Sequence, residues 1–119
     1  MRTLQIRIDS MTEFGASAVA AMKDVMVGRR RPAIDAVSFN SYDDMHALLS
    51  PSRLAIIRAL AGQGALSIRE VARRVGRDVQ AVHRDVTRLI NAGIIKRTDE
   101  GIRFDYDEID FAFKVNAAA

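Results

Sequence analysis

Apolar residues recur at two spacings along the first third of the chain, and these spacings predict strands and a helix. Every second residue is apolar between positions 3 and 8, which is the period of a half-buried strand. A capping box opens the segment 10–28, whose apolar residues recur at helical spacing. The segment 36–39 is short and sufficiently apolar to form a second strand. The first third therefore predicts a β-α-β element.

In the middle of the chain, apolar residues recur at helical spacing. A short helix that ends at Leu49 is expected first, and further helices are expected over 51–61, 68–75 and 79–92. Each of these three follows a serine or aspartate that can cap free N–H groups, and each is followed by a glycine. Gly76 permits a tight left-handed turn between the last two helices.

The pattern then returns to strands, because residues 94–97 and 102–106 flank a turn that contains Asp and Gly. Helix, helix, glycine turn, helix and hairpin are the order of a winged helix-turn-helix. We therefore predict an α+β chain, with a winged helix-turn-helix over residues 50–108 after the β-α-β element over 1–49. Two short strands make a marginal sheet, so the β-α-β element is predicted to mediate dimerisation. Residues 109–119 are a C-terminal tail that completes the core or contacts a partner.

Basic residues are concentrated in the middle of the chain. Ten basic and three acidic residues give segment 51–97 a net charge of +7. Segment 1–50 is neutral, and segment 98–119 carries a net charge of −4. A basic segment of this kind indicates an anionic polymer as partner, although it is also typical of a solvated surface.

The composition excludes several classes of function. The chain has no cysteine, which excludes disulfide scaffolds, thiolate metal sites and thiol catalysis. The sequence has no glycine-rich phosphate loop, nucleophile elbow or metal-ligand cluster, so we expect neither an enzyme nor a cofactor or metal. It shows no signal-peptide pattern and no apolar stretch long enough to span a bilayer. A cytoplasmic protein without membrane contact is therefore expected.

The helix over 79–92 has a polar face that suits contact with DNA. Its predicted inward side consists of Val79, Val82, Val86, Leu89 and Ile90. The residues predicted to read base edges are on the opposite side, namely Arg77, Gln80, Ala81 and Arg84. Arginine can donate two hydrogen bonds to guanine and glutamine can pair with adenine, while the small Ala81 lets the backbone approach the DNA. His83 lies beside the apolar stripe, and we expect it to be packed or hydrogen-bonded.

Other polar residues near this face are predicted to contact the phosphate backbone of DNA. Such contacts set affinity and register but carry no sequence information. The predicted backbone contacts are Ser67, Arg69, Arg73, Arg74, Arg88, Lys96, Arg97 and Arg103.

Four stretches, over 49–54, 66–73, 75–86 and 91–95, together resemble a family of small MarR-like winged-helix proteins. Gly-Arg-Asp followed by Val-His-Arg-Asp-Val, within 75–86, is their most specific part. Members of that family are described as DNA-binding proteins, and some as antitoxins encoded beside a small toxin. The resemblance implies a dimer that represses its own operon and, in the antitoxin case, also binds and neutralises a toxin.

Two functions from different classes are consistent with the sequence. The first is a dimeric autorepressor that binds double-stranded DNA sequence-specifically, with an antitoxin as one form of it. The second is a protein-interaction module that neutralises a toxin or belongs to a larger assembly without reading DNA. The basic middle favours DNA, whereas the neutral first third and the acidic tail favour a protein partner. Repression and activation, and the binding of a small effector, are all left open.

Overall fold

The structure, a computed structural model, describes residues 2–8 and 35–114. Within these residues the strands are β1 (Thr3–Ile8), β2 (Ala36–Phe39), β3 (Lys96–Thr98), β4 (Gly101–Arg103) and β5 (Glu108–Phe111). The helices are α1 (Tyr42–Leu48), α2 (Pro51–Leu60), α3 (Ile68–Val75) and α4 (Val79–Asn91). The predicted α+β class is confirmed.

Most of the predicted elements have the expected places in the chain. The two N-terminal strands and the four helices after them are confirmed. The helix predicted over 10–28 lies outside the described residues. No helix of the described part is long and apolar enough to cross a membrane.

Local capping signals explain where α2, α3 and α4 begin. The Ser50 and Ser67 hydroxyls accept hydrogen bonds from backbone N–H groups three residues later, at 3.4 and 3.1 Å. The Asp78 carboxylate accepts from the N–H groups of residues 80 and 81 at 3.0 and 3.3 Å. Gly76 ends α3 with φ of 68°, in the left-handed region that glycine adopts without strain. The predicted start signals are therefore confirmed.

A three-stranded parallel sheet in the order β2-β1-β5 covers one side of the helices. Ile6 of β1 pairs with Val37 of β2 and with Phe111 of β5. Paired residues in neighbouring strands point to the same face, so the large apolar residues of all three strands point toward the helices. Leu4 and Ile6 are buried there, and Ile109 packs against the same core.

The sequence prediction missed the strand β5, which begins at the last residue of the predicted winged helix and continues into the predicted tail. It gives β1 and β2 a third neighbour from the same chain. The physical reason for assigning dimerisation to residues 1–49 was the lack of such a neighbour, and β5 removes that reason.

The β3–β4 hairpin is antiparallel and shorter than predicted, because its second strand ends at Arg103. It is fastened to the loop before α3 by Leu66, whose N–H and C=O pair with Ile102 at 2.9 and 2.8 Å. Gly101 lies against this bridge with φ of 141°, and a Cβ there would be 2.5 Å from the Leu66 oxygen. The bridge therefore requires glycine at position 101. After Arg103 the chain leaves the hairpin and buries Phe104 in the core.

Candidate nucleic-acid interface

The helix α4 presents a polar face to solvent. Its buried residues are Val82, Asp85, Val86 and Leu89. Its exposed polar residues are Gln80, His83, Arg84, Thr87, Arg88 and Asn91. No carboxylate belongs to this exposed face, so a polyanion can approach it without repulsion from α4 itself. Gln80 and Arg84 are on this face as predicted, whereas Ala81 is half-buried at its flank.

The exposed face is rotated around the helix axis relative to the prediction. Val79 was predicted to point inward, and it is 41% exposed. His83 was expected to be packed or hydrogen-bonded, and its side chain is exposed. The cause is Asp85, which is only 8% exposed although a hydrophobic pattern places an aspartate outside. Counting Asp85 as an inward residue turns the outward face toward His83 and Thr87 and away from Ala81.

Two arginines hold Asp85 in its buried position. Arg53 Nη1 donates to Asp85 Oδ1 at 2.8 Å, and Arg77 Nη1 donates to Asp85 Oδ2 at 2.7 Å. Arg53 also donates to the carbonyls of Ala47 and Leu48, at 2.7 and 2.5 Å, near the end of α1. This network, which sequence reasoning missed, connects α1, α2 and α4. The guanidinium of Arg77, predicted to read bases, is therefore bound to Asp85 and only 31% exposed.

The charge state of Asp85 follows from these contacts. Burial raises the pKa of Asp85, but the hydrogen bonds from Arg77 and then Arg53 outweigh burial, and the pKa lies below its ordinary value. The carboxylate is therefore ionised at neutral pH, and its single negative charge partly neutralises the two arginines.

A groove of about 510 Å³ separates α4 from the β3–β4 hairpin. Its lining includes Ser67, Ile68, Arg69, Val79, His83 and residues 97–102. Arg69 at the start of α3 and Arg97 on β3 place cations in this groove, beside the exposed imidazole of His83. The turn of the hairpin adds two exposed carboxylates, Asp99 and Glu100, so the basic part of the groove lies away from this turn.

Four of the predicted DNA-contacting arginines form no ion pair or hydrogen bond through their side chains with the described residues. They are Arg69, Arg84, Arg88 and Arg97. Two of them belong to the exposed face of α4 and two to the groove beside it. Their charges are thus available to an external anion.

Arg73 and Arg74 are placed differently, because both bind Glu70 on α3. The Nε atoms of Arg73 and Arg74 lie 2.9 Å from Oε2 and Oε1 of Glu70, respectively. Hydrogen bonds from Arg73 and then Arg74 lower the pKa of Glu70 to about 2. Glu70 lies three residues after Ser67, which is the spacing of a capping box. Its backbone N–H does bond to the Ser67 hydroxyl, while its carboxylate binds the two arginines instead.

Lys96 and Arg103 share a carboxylate in the same manner. Lys96 Nζ lies 2.5 Å from Asp105 Oδ2, and Arg103 Nε lies 2.8 Å from Asp105 Oδ1. The hydrogen bond from Lys96 is the main cause that lowers the pKa of Asp105. Four of the predicted backbone contacts are therefore partly neutralised within the chain, and the four unpaired arginines are the stronger candidates.

The arrangement suits the binding of a polyanion. A polar strip on α4 without carboxylates, formed by Gln80, His83 and Thr87, lies between unpaired arginines. Cations of this kind attract phosphates, and the polar strip offers hydrogen-bonding groups to whatever lies between the phosphates. Among the described residues, no group of His, Asp or Glu is placed to hold a metal ion.

A comparison with family models finds a match over the part of the chain that carries this face. A family model described as HVO_A0114 matches residues 48–111, from the end of α1 to the end of β5. No match was found among curated proteins or among solved structures. Because the matched segment covers more than half of the chain and includes every residue of the interface, the chain belongs to the HVO_A0114 family.

Proposed function

We propose that the chain is a winged helix-turn-helix protein that binds double-stranded DNA sequence-specifically and regulates transcription. In this assignment α3, the turn at Gly76 and α4 are the helix-turn-helix, α4 enters the major groove, and the β3–β4 hairpin is the wing. The resemblance to MarR-like proteins supports a homodimer that represses its own operon. An antitoxin role would add a cognate toxin as a second partner.

The observation that carries the proposal is the exposed face of α4. It combines two unpaired arginines with other polar residues and has no carboxylate, although acidic residues make up an eighth of the chain (15 of 119). The solvent-exposed faces of helices commonly carry both basic and acidic residues. A face that contacts phosphates and base edges is expected to have no acidic residues, because carboxylates would repel the phosphates.

The structure-based assignment of contacts differs from the sequence-based one in three respects. Gln80 and Arg84 are retained as base-reading residues, and His83 joins them because it is exposed beside them. Arg77 leaves the reading set because its guanidinium is bound to Asp85. Unpaired Arg69, Arg88 and Arg97 are the main phosphate contacts. The acidic tip of the hairpin is repelled by phosphate, so binding energy comes from the helices and from Arg97 on β3 rather than from the tip.

The first test is a fluorescence anisotropy titration of the full chain with DNA from its own promoter region. Two salt concentrations and a scrambled competitor separate specific from non-specific binding, because phosphate contacts weaken steeply with salt. Tight binding that survives the competitor supports a sequence-specific regulator. Absence of binding at low salt would refute the proposal. The remaining alternative would then be a protein-interaction module that does not read DNA.

Single substitutions then separate base reading from phosphate contact. Arg84→Ala should cost about 1–3 kcal/mol on the preferred sequence and relax the preference at one base pair. Arg97→Ala should weaken binding to all sequences alike and lower the salt slope by about 1. Arg58→Ala is the matched control, since Arg58 is exposed on α2 and lines a different pocket. Equal losses at positions 84 and 58 would mean that the reading face is misplaced.

A further inference from the structure

The strand β5 has a neighbour on one side only among the described residues, because β1 is its single partner. An edge strand presents unpaired N–H and C=O groups, which can pair with a strand of another chain. We propose that two copies of the chain pair antiparallel through β5 and join their sheets into one. The inference deepens the proposed function and rests on it only for the expectation of a homodimer.

The side chain of Phe111 supports an interface at this edge. Its sheet partner is the buried Ile6, so it is on the face that points toward the core, yet it is 43% exposed. Its ring meets Phe113 at 6.2 Å between centroids, and Phe113 meets the exposed Tyr42 at 6.0 Å. An apolar pocket of about 270 Å³ opens beside it against α2, with Ile57 in its lining. Exposed aromatic rings beside an apolar pocket are typical of a contact site.

The sequence of β5 indicates that the strand pairing with its free edge belongs to a second copy of the chain. Residues 108–114 read Glu-Ile-Asp-Phe-Ala-Phe-Lys, which is acidic at one end, basic at the other and aromatic in the centre. Antiparallel pairing about Phe111 places Glu108 opposite the partner's Lys114, and Ile109 opposite the partner's Phe113. Pairing about Asp110 would instead oppose two aspartates, and directly opposed like charges destabilise a sheet. The strand is therefore complementary to itself around Phe111.

The backbone of the strand agrees with this axis. The N–H of Ala112 donates to the carbonyl of Ile6 at 2.9 Å, so position 112 is bonded toward β1. Backbone groups alternate in direction along a strand, and the N–H and C=O of Phe111 therefore point to the free edge. Two Phe111 residues related by a two-fold axis can exchange both hydrogen bonds, as an isologous interface requires.

The first experiment measures the mass of the full chain by sedimentation equilibrium without DNA, so that a failure of DNA binding does not affect it. We expect a dimer at micromolar concentration, with Phe111→Lys raising the dissociation constant at least about tenfold, because a charge replaces the central aromatic pair. Val79→Lys is the matched control, since Val79 is 41% exposed but is on α4. A monomeric parent chain, or a dimer that is insensitive to Phe111→Lys, would overturn the proposal.

Further variants test the register of the proposed β5 pairing, and these tests do not depend on whether Phe111→Lys folds. Glu108→Lys and Lys114→Glu should each weaken the dimer several-fold, and the double variant should recover most of the loss. The chain has no cysteine, so Phe111→Cys introduces a single thiol whose Cα lies about 5.5 Å from its two-fold mate, within disulfide range. Faster cross-linking of Asp110→Cys than of Phe111→Cys, or no recovery in the double variant, would overturn the proposed pairing. If the dimer passes these tests but binds no DNA, the proposed function is refuted and the proposed β5 interface is still supported.

Discussion

Asp85→Ala should lower the free energy of unfolding by about 3 kcal/mol, at the lower end of the cost of removing one partner from a buried ion pair. The carboxylate accepts two charge-assisted hydrogen bonds, at 2.8 Å from Arg53 and 2.7 Å from Arg77, and each such bond contributes about 1.5–3 kcal/mol. Arg77 is 31% exposed and can turn to water, which reduces its share, whereas Arg53 is 11% exposed. Arg53 keeps its two carbonyl acceptors but has an uncompensated buried charge.

Urea unfolding followed by circular dichroism measures this loss directly. At this chain length a loss of about 3 kcal/mol corresponds to a fall in Tm of roughly 10–15 °C. Asp99→Ala is the control, since Asp99 is an exposed carboxylate at the hairpin turn, and its removal should change stability by less than about 0.5 kcal/mol. A loss below about 1 kcal/mol for Asp85→Ala would refute the inference that the network holds α4 in place.

The same network predicts how stability depends on pH. The folded pKa of Asp85 lies below its ordinary value, so its contribution is complete above about pH 4, the unfolded aspartate value. It is lost as the pH falls below that value and through the folded pKa. The parent chain should therefore lose stability in this acid range, and Asp85→Ala should lose less. Equal acid sensitivity of the two proteins would contradict this assignment.

The remaining predictions concern the hairpin and the charge of α3. Gly101→Ala should destabilise the fold by about 2 kcal/mol or more in the same unfolding assay, because a Cβ would meet the Leu66 carbonyl at a positive φ. Glu70→Gln should release Arg73 and Arg74 from their shared carboxylate, and anisotropy titrations should then show tighter binding to all DNA and a steeper salt dependence. Unchanged DNA binding by Glu70→Gln would place both arginines outside the interface.

Sequence reasoning succeeded where local signals decide structure. Ser50 followed by proline, the serine before α3 and the aspartate before α4 each satisfy N–H groups within three residues, so the starts of these helices depend on near neighbours alone. The φ of Gly76 is likewise a local property. The α+β class follows from these elements in their chain order.

Sequence reasoning failed where a distant partner decides the outcome. Asp85 is buried because Arg53, 32 positions earlier, reaches it, and no periodicity within α4 contains that information. The resulting error rotated the predicted face and hid the exposure of His83. The strand β5 did carry a local signal, since Glu108, Ile109, Asp110 and Phe111 alternate with period two. Because this segment is short and acidic, the sequence favoured a tail. The strand forms because β1 pairs with it.

The separation of charge within the fold explains why DNA and a second copy need not compete. Unpaired arginines are concentrated on α4 and the adjacent groove, whereas β5 begins with Glu108 and carries Asp110. Phosphates are repelled from that strand and attracted to the helix. In contrast, the proposed pairing of β5 uses its own lysine to neutralise its acidic end. The residues of the proposed β5 pairing are not those of the α4 face, so the pairing does not use the arginines that are available to DNA.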